Sequence, residues 1–172
     1  MEFLELAKAR YSCRKLSDKP VEPEKVARIL EAAVAAPTAK NIQPYKIWKV
    51  TSTEALAKVQ QVAKFPFVQQ AKVILAVGVR EDEAFTRPFD NLNYAQIDGS
   101  IVATHIMLAV QAEGIGTTWV GYFDAPKLQE LIPEMAGYEL IALFPIGYPA
   151  ADAAPSNRHA ERRAVADAVA EI

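Results

Sequence analysis

Arg10-Tyr11-Ser12-Cys13-Arg14 near the start of the chain and Arg162-Arg163 near its end place cations where a phosphate could be held. Arginine donates two parallel hydrogen bonds from a planar fork and stays charged at any working pH. If the first segment is extended, alternation points Arg10, Ser12 and Arg14 to one side. Between the two lies Ala36-Pro37-Thr38-Ala39-Lys40-Asn41-Ile42-Gln43-Pro44, dense in amides and hydroxyls. Asn and Gln each offer donors and an acceptor, which suits the edge of a flat heterocycle. A phosphate together with a ring bearing imide edges describes flavin mononucleotide, FMN.

Other residues with chemical potential read as structural. Cys13 has no histidine near it in sequence to activate it, so it reads as a small space-filler. His105 falls among apolar residues of a helical stretch, and His159 lies in the tail. Asp98 and Gln96 share that helix and are expected to serve structure, with a bond to the amide-rich loop as one option. Gly114-Ile115-Gly116 looks like half a dinucleotide fingerprint. It follows a helix and precedes a strand, the reverse of the order that motif needs, so a Rossmann site is not expected.

The elements that must position these residues follow from periodicity. Phe3, Leu4, Leu6 and Ala7 recur at helical spacing up to about Ala9. Pro23 opens a second helix with Val26, Ile29, Leu30 and Ala33 on one face, and Pro37 stops it. Residues 45–50 alternate as a half-buried strand. Thr51 and Glu54 suggest a capping box for a helix to about Val62. After Lys72, residues 73–79 form an unbroken apolar run, expected of a strand covered on both faces. A polar stretch, 80–91, leads to a long helix over about 94–113, ended by Gly114. Residues 117–121 and 138–145 read as strands, with a short helix from Ala125-Pro126 between them. Without a strict βαβ rhythm the class is α+β, a sheet of four or five mostly antiparallel strands packed among helices.

At 172 residues with a net charge of −2, the chain fits one globular domain with no electrostatic pull toward nucleic acid. One cysteine excludes an internal disulfide, and two histidines leave little for a metal cluster. The first residues lack the apolar core of a signal peptide, and the longest apolar run is too short to span a bilayer. The expectation is a soluble, cytoplasmic protein without a membrane partner.

Arg-x-Ser-x-Arg, then Ala-Pro-Thr-Ala-x-Asn-x-Gln-Pro, then Gly147-Tyr148-Pro149 with a basic tail, resemble the FMN-dependent nitroreductase family in its own order, from about Arg10 to Arg163. The resemblance implies a nitroreductase-like α+β fold and a homodimer. It assigns Arg10, Tyr11, Ser12 and Arg14 to the FMN phosphate and ribityl chain. Pro37, Thr38, Ala39, Asn41 and Gln43 fall to the isoalloxazine ring, with the asparagine at its pyrimidine edge. Trp119, Val120 and Gly121 fall behind the flavin, where a backbone N–H would face N5. Arg162 takes the place of the terminal phosphate ligand, with Arg163 one residue away; Ala160 stands where the family has a lysine, which puts phosphate affinity in doubt. The implied activity passes hydride from NAD(P)H through the flavin to a small acceptor such as a nitroaromatic or quinone. No side chain is nominated as a catalytic acid. Alternatives with the same site are FMN storage or sensing without turnover, dehalogenation, and flavin breakdown. The implied division is an FMN-binding domain, 1–151, and an arm, 152–172, exchanged with the partner subunit. The family's larger members insert helices where this chain has only 80–91, so Phe85, Phe89 and Phe65-Pro66-Phe67 are candidates to stack on a substrate.

Overall fold

The computed structural model describes residues 2–172. Its centre is an antiparallel sheet in the order β1 (Tyr45–Val50), β2 (Val73–Val79), β3 (Glu139–Ile146). β2 is central, which explains why its whole run is apolar: Ile74 to Val77 and Val79 are fully buried, with helices on both faces.

The sheet has three regular strands, fewer than the four or five expected. The fourth position is filled by 116–120, which touches β3 only at two bridges, Gly116 with Gly147 and Val120 with Leu143. The register of those bridges sets Thr118 opposite Pro145. Proline has no N–H to give, so the ladder is broken between its two ends. Ser12 continues the series as a parallel bridge to Thr117. The phosphate candidate segment therefore rides on the sheet's outer edge.

One face of the sheet carries α2 (Pro23–Val34) and α5 (Ala95–Ala112), the other α3 (Thr53–Val62), α4 (Pro66–Gln70) and α6 (Ala125–Leu131). α1 (Phe3–Ala9) lies along α5, and α7 (Val165–Ala168) is a single turn in the tail. α3 is capped one residue later than the sequence suggested. Ser52, not Thr51, accepts the Ala55 N–H at 3.2 Å, and Glu54 pairs with Lys58 instead of closing a capping box. Such an N-cap contributes about 1 kcal/mol. α4, absent from the sequence reading, starts on Pro66 at its first turn.

α5 is apolar around most of its circumference. It presses so close to the sheet that a Cβ on Gly99 would lie 2.4 Å from Val79 Cγ1 and 2.8 Å from Ile141 Cδ1. α2 lies antiparallel to it: Lys25 reaches the Glu113 carbonyl, Arg28 forks onto the Glu113 carboxylate, and His105 Nδ1 bonds Ala32 O at 3.0 Å. His105 is thus a helix–helix link. No helix among the described residues is long and apolar enough to cross a membrane.

Candidate functional site

The arginines sort by partner. Arg28, Arg80 and Arg87 are each forked onto carboxylates. Arg10, Arg14, Arg162 and Arg163, the four proposed to meet a phosphate, have no carboxylate within 4.0 Å among the described residues, and neither has Arg158 in the tail. The chain carries 21 acidic residues against 19 basic ones, so these guanidiniums are not short of potential partners. An unpaired group of this kind is what an anion site requires.

The two arginine-bearing segments lie along each other within one chain. Arg10 closes α1 with its N–H on Leu6 O and leaves the helix in extended conformation. Cys13 N–H then donates to Thr117 O at 2.9 Å, which fixes the segment against the sheet edge. Cys13 is fully buried and its thiol donates to Lys15 O, so it fills space. The tail returns along this same stretch: Ala150 N–H bonds Lys15 O, Lys15 pairs with Asp152 at 2.5 Å, and His159 Nε2 bonds Lys8 O at 3.1 Å. The His159 ring also stands edge-on to Tyr11, 6.4 Å between centroids. His159 is a tether, and Arg162 follows it by three residues. Arg162 and Arg163 donate only to carbonyls of the tail itself. Up to residue 159 the arm thus touches its own chain; beyond it every residue is exposed.

Tyr11 gains from these surroundings a phenol pushed up to about 12, chiefly by burial and then by its bond to Cys13.

The amide-rich loop lies elsewhere. Ala39 N–H donates to Asp98 Oδ1 at 2.9 Å, in the first turns of α5. Arg10 and Tyr11 instead line a crevice with Met107, Val110 and Gln111 at the last turns. Twelve helical steps separate Asp98 from Val110, about 18 Å at 1.5 Å per residue, and the body of α5 fills the space between. One chain therefore presents two candidate half-sites at opposite ends of one helix. Pro37, Thr38, Ala39, Asn41 and Gln43 do not meet Arg10, Ser12 and Arg14 of the same chain.

The loop carries unusual backbone. Lys40, Asn41 and Gln43 have φ of 51°, 56° and 59°, three of the four left-handed non-glycine residues among those described. Such conformations cost roughly 1–2 kcal/mol each and persist where their surroundings hold them. Thr38 Oγ1 accepts the Gln43 N–H at 3.1 Å, Gln43 Nε2 reaches Asn41 O, and Lys40 Nζ sits 4.4 Å over the Phe85 ring. The Asn41 side chain makes no hydrogen bond here and is exposed, free to meet a ligand. Asp98, 1% exposed, is the anchor. Its Oδ2 has no partner among the described residues. Gln96 bonds Glu139 and does not touch the loop.

Along 117–121 the backbone donors divide. Val120 N–H donates to Leu143 O at 3.0 Å and is committed to the sheet. In extended chain its neighbours point the other way, so the N–H groups of Trp119 and Gly121 face outward. A Cβ on Gly121 would touch the Trp119 ring at 3.6 Å, an ordinary van der Waals contact, so no neighbour within the chain crowds this position. Beside Gly121 opens a cavity of about 720 Å³ lined by Phe65, Tyr122, Lys64 and Lys127. Phe65 is one of the aromatics expected to stack on a substrate; Tyr122 and the two lysines are not among the residues singled out from the sequence. Phe67 is buried under Phe65, Phe85 packs on Tyr94, and Phe89 stands 93% exposed.

The profile of the Nitroreductase family matches residues 7–64 and 59–148, which together span both half-sites. The chain belongs to the nitroreductase family. A relative in Archaeoglobus fulgidus, described as a candidate NADH dehydrogenase/NAD(P)H nitroreductase, is 32% identical over 154 residues, 86% of each chain. Among solved structures, a nitroreductase family protein of Clostridium difficile superposes with a TM-score of 0.88 at 33% identity, over 99% of this chain and 98% of that one. A candidate nitroreductase of Exiguobacterium sibiricum, solved in complex with FMN, shares the fold at a TM-score of 0.83 and 22% identity, over 100% and 98%.

Proposed function

We propose that this nitroreductase family member is an FMN-dependent oxidoreductase that works as a homodimer, each flavin site being built from two chains. The observation that carries the reading is the set of uncommitted arginines, Arg10 and Arg14, beside a strip of outward N–H groups ending in the uncrowded Gly121. The FMN held by the Exiguobacterium relative supports the identity of the ligand.

The residues suit the cofactor. Arg10 and Arg14, with Ser12 and Tyr11, would hold the phosphate and ribityl chain; Arg162 or Arg163 would join them from the returning tail. The N–H groups of Trp119 and Gly121 would face the ring, and the missing side chain of Gly121 allows the approach. Pro37, Thr38, Ala39, Asn41 and Gln43 would come from the partner, with Asn41 at the pyrimidine edge. Two features favour two chains. α5 separates the half-sites within one chain, and α1 and α5 leave Phe3, Leu4 and Ile97 exposed on a shared apolar face. Covering that face with a second copy would bring one chain's loop toward the other's arginines. The exposed tail beyond residue 163 is free to reach the second copy.

Bound there, FMN supplies the relay of hydride from NAD(P)H to a small acceptor such as a nitroaromatic or quinone. The chain orients the ring, offers N–H donors to it and surrounds its charge with cations. The test is the spectrum of purified protein reconstituted with FMN and titrated anaerobically with NADH or NADPH. Bleaching of the flavin near 1:1 stoichiometry is expected, with FMN and not FAD released on denaturation. A flavin that stays oxidised marks a binding protein without turnover, and failure to bind FMN overturns the assignment.

A further inference from the structure

The cavity beside Gly121 has a chemistry of its own. Phe65 is stacked on Phe67 at 5.2 Å and 9°, so its ring is fixed from below. Tyr122 meets it edge-on, 6.3 Å between centroids and 66° between planes, yet is 86% exposed. An aromatic held only by another aromatic, at the mouth of a cavity, makes an open corner into which a third flat ring fits. The volume, about 720 Å³, lies within the range of small-molecule sites.

The charges at the rim are not equivalent. Asp124 is occupied as the cap of α6, where its Oδ1 accepts the Lys127 N–H at 3.0 Å. Lys127 Nζ is paired with Glu130 at 2.7 Å. Lys64 has no carboxylate within 4.0 Å among the described residues, so of the two lysines at the rim it is the one without an ion-pair partner. Gln61 adds an amide able to donate or accept.

We propose that this cavity is the acceptor subsite and that it selects planar aromatic acceptors bearing an anionic substituent, the ring set in the Phe65–Tyr122 corner and the anion on Lys64. The proposal rests on the flavin reading above. Tyr122 follows Gly121 directly, and consecutive Cα atoms are about 3.8 Å apart, so a ligand in the corner borders the place assigned to the flavin ring.

The test is equilibrium dialysis of 4-nitrobenzoate and its uncharged isostere 4-nitrobenzamide against the full-length protein, with and without FMN and without reductant. With FMN bound, the benzoate should bind roughly tenfold or more tighter, the usual worth of one charge-assisted hydrogen bond. Lys64→Gln should remove that preference while leaving benzamide binding unchanged, and Tyr122→Ala should weaken both. Three results overturn the proposal: equal binding of the two compounds, a preference that survives Lys64→Gln, or benzoate binding to the flavin-free protein that FMN displaces. The last outcome would make the cavity part of the cofactor's own seat. Bleaching by NADH in the same preparation reports on the flavin reading separately, so either can fail alone.

Discussion

Removing the Asp98 carboxylate should damage flavin binding far more than folding. In Asp98→Ala, Ala39 loses the acceptor of its N–H, a bond to a charged group worth about 1.5–3 kcal/mol. The same change removes Oδ2, a buried oxygen without a partner, and relieves a desolvation cost of about 1–3 kcal/mol. These terms oppose each other, so the net effect on global stability should stay within about 2 kcal/mol in either direction. The loop feels only the loss. Three left-handed residues store roughly 3–6 kcal/mol of backbone strain. Without Asp98 they are held by little more than the Thr38–Gln43 and Gln43–Asn41 bonds. The loop should relax, and FMN would have to restore it on binding, a drop in affinity of roughly ten- to a hundredfold. Asp98→Asn keeps a carbonyl acceptor and adds a donor, so it should recover most of the affinity. Urea melts followed by far-UV circular dichroism give the stability, and quenching of flavin fluorescence gives the affinity. If affinity and stability fall together, or if Asn behaves like Ala, Asp98 is an ordinary core residue and the argument is wrong.

Gly99→Ala places a methyl 2.4 Å from Val79 Cγ1, so α5 must shift or the core must strain; a loss of about 1–3 kcal/mol is expected, read as a melting temperature lower by several degrees. Arg14→Ala should weaken FMN binding by about 2–4 kcal/mol, roughly thirty- to several-hundredfold, and a titration showing less than a threefold change would make Arg14 a plain surface residue. The Tyr11 phenol is raised to about 12 in the folded protein, so its neutral form is favoured by folding. Its contribution to stability is complete below the ordinary tyrosine value near 10 and is lost as pH rises toward 12, which ultraviolet titration of wild type against Tyr11→Phe should show as one late-ionising phenol.

Much of this arrangement was legible in the residues. β1 could be read to the residue because Tyr45–Val50 alternates and is bounded by Pro44. β2 showed as an apolar run because it is covered on both faces. The 117–121 segment looked like a full strand because periodicity is local, whereas the break comes from Pro145 on a distant segment set opposite Thr118. The cap at Ser52 was missed for a nearby reason: Thr51 and Ser52 are both competent caps, and only the backbone decides between them. The candidate site residues were named from motif order. Their separation across α5 was not readable, since chain order says nothing about which end of a helix a loop docks on. Asp98 as the anchor was within reach, but the left-handed run it holds was hidden, because Lys40 and Gln43 are not residues that announce positive φ.

The placement of the two half-sites at opposite ends of α5 has a genetic corollary. If each chain lends its arginines to one flavin and its loop to another, lesions in the two halves should complement each other between chains. An Arg14→Ala subunit and an Asn41→Ala subunit, each inactive as a homodimer, would form a mixed dimer in which both lesions fall in one site and the second site is fully wild type. Random pairing of equal amounts makes about half of the dimers mixed, so about a quarter of all sites should regain FMN on unfolding and refolding the mixture together. A site built within a single chain could never be rescued in this way.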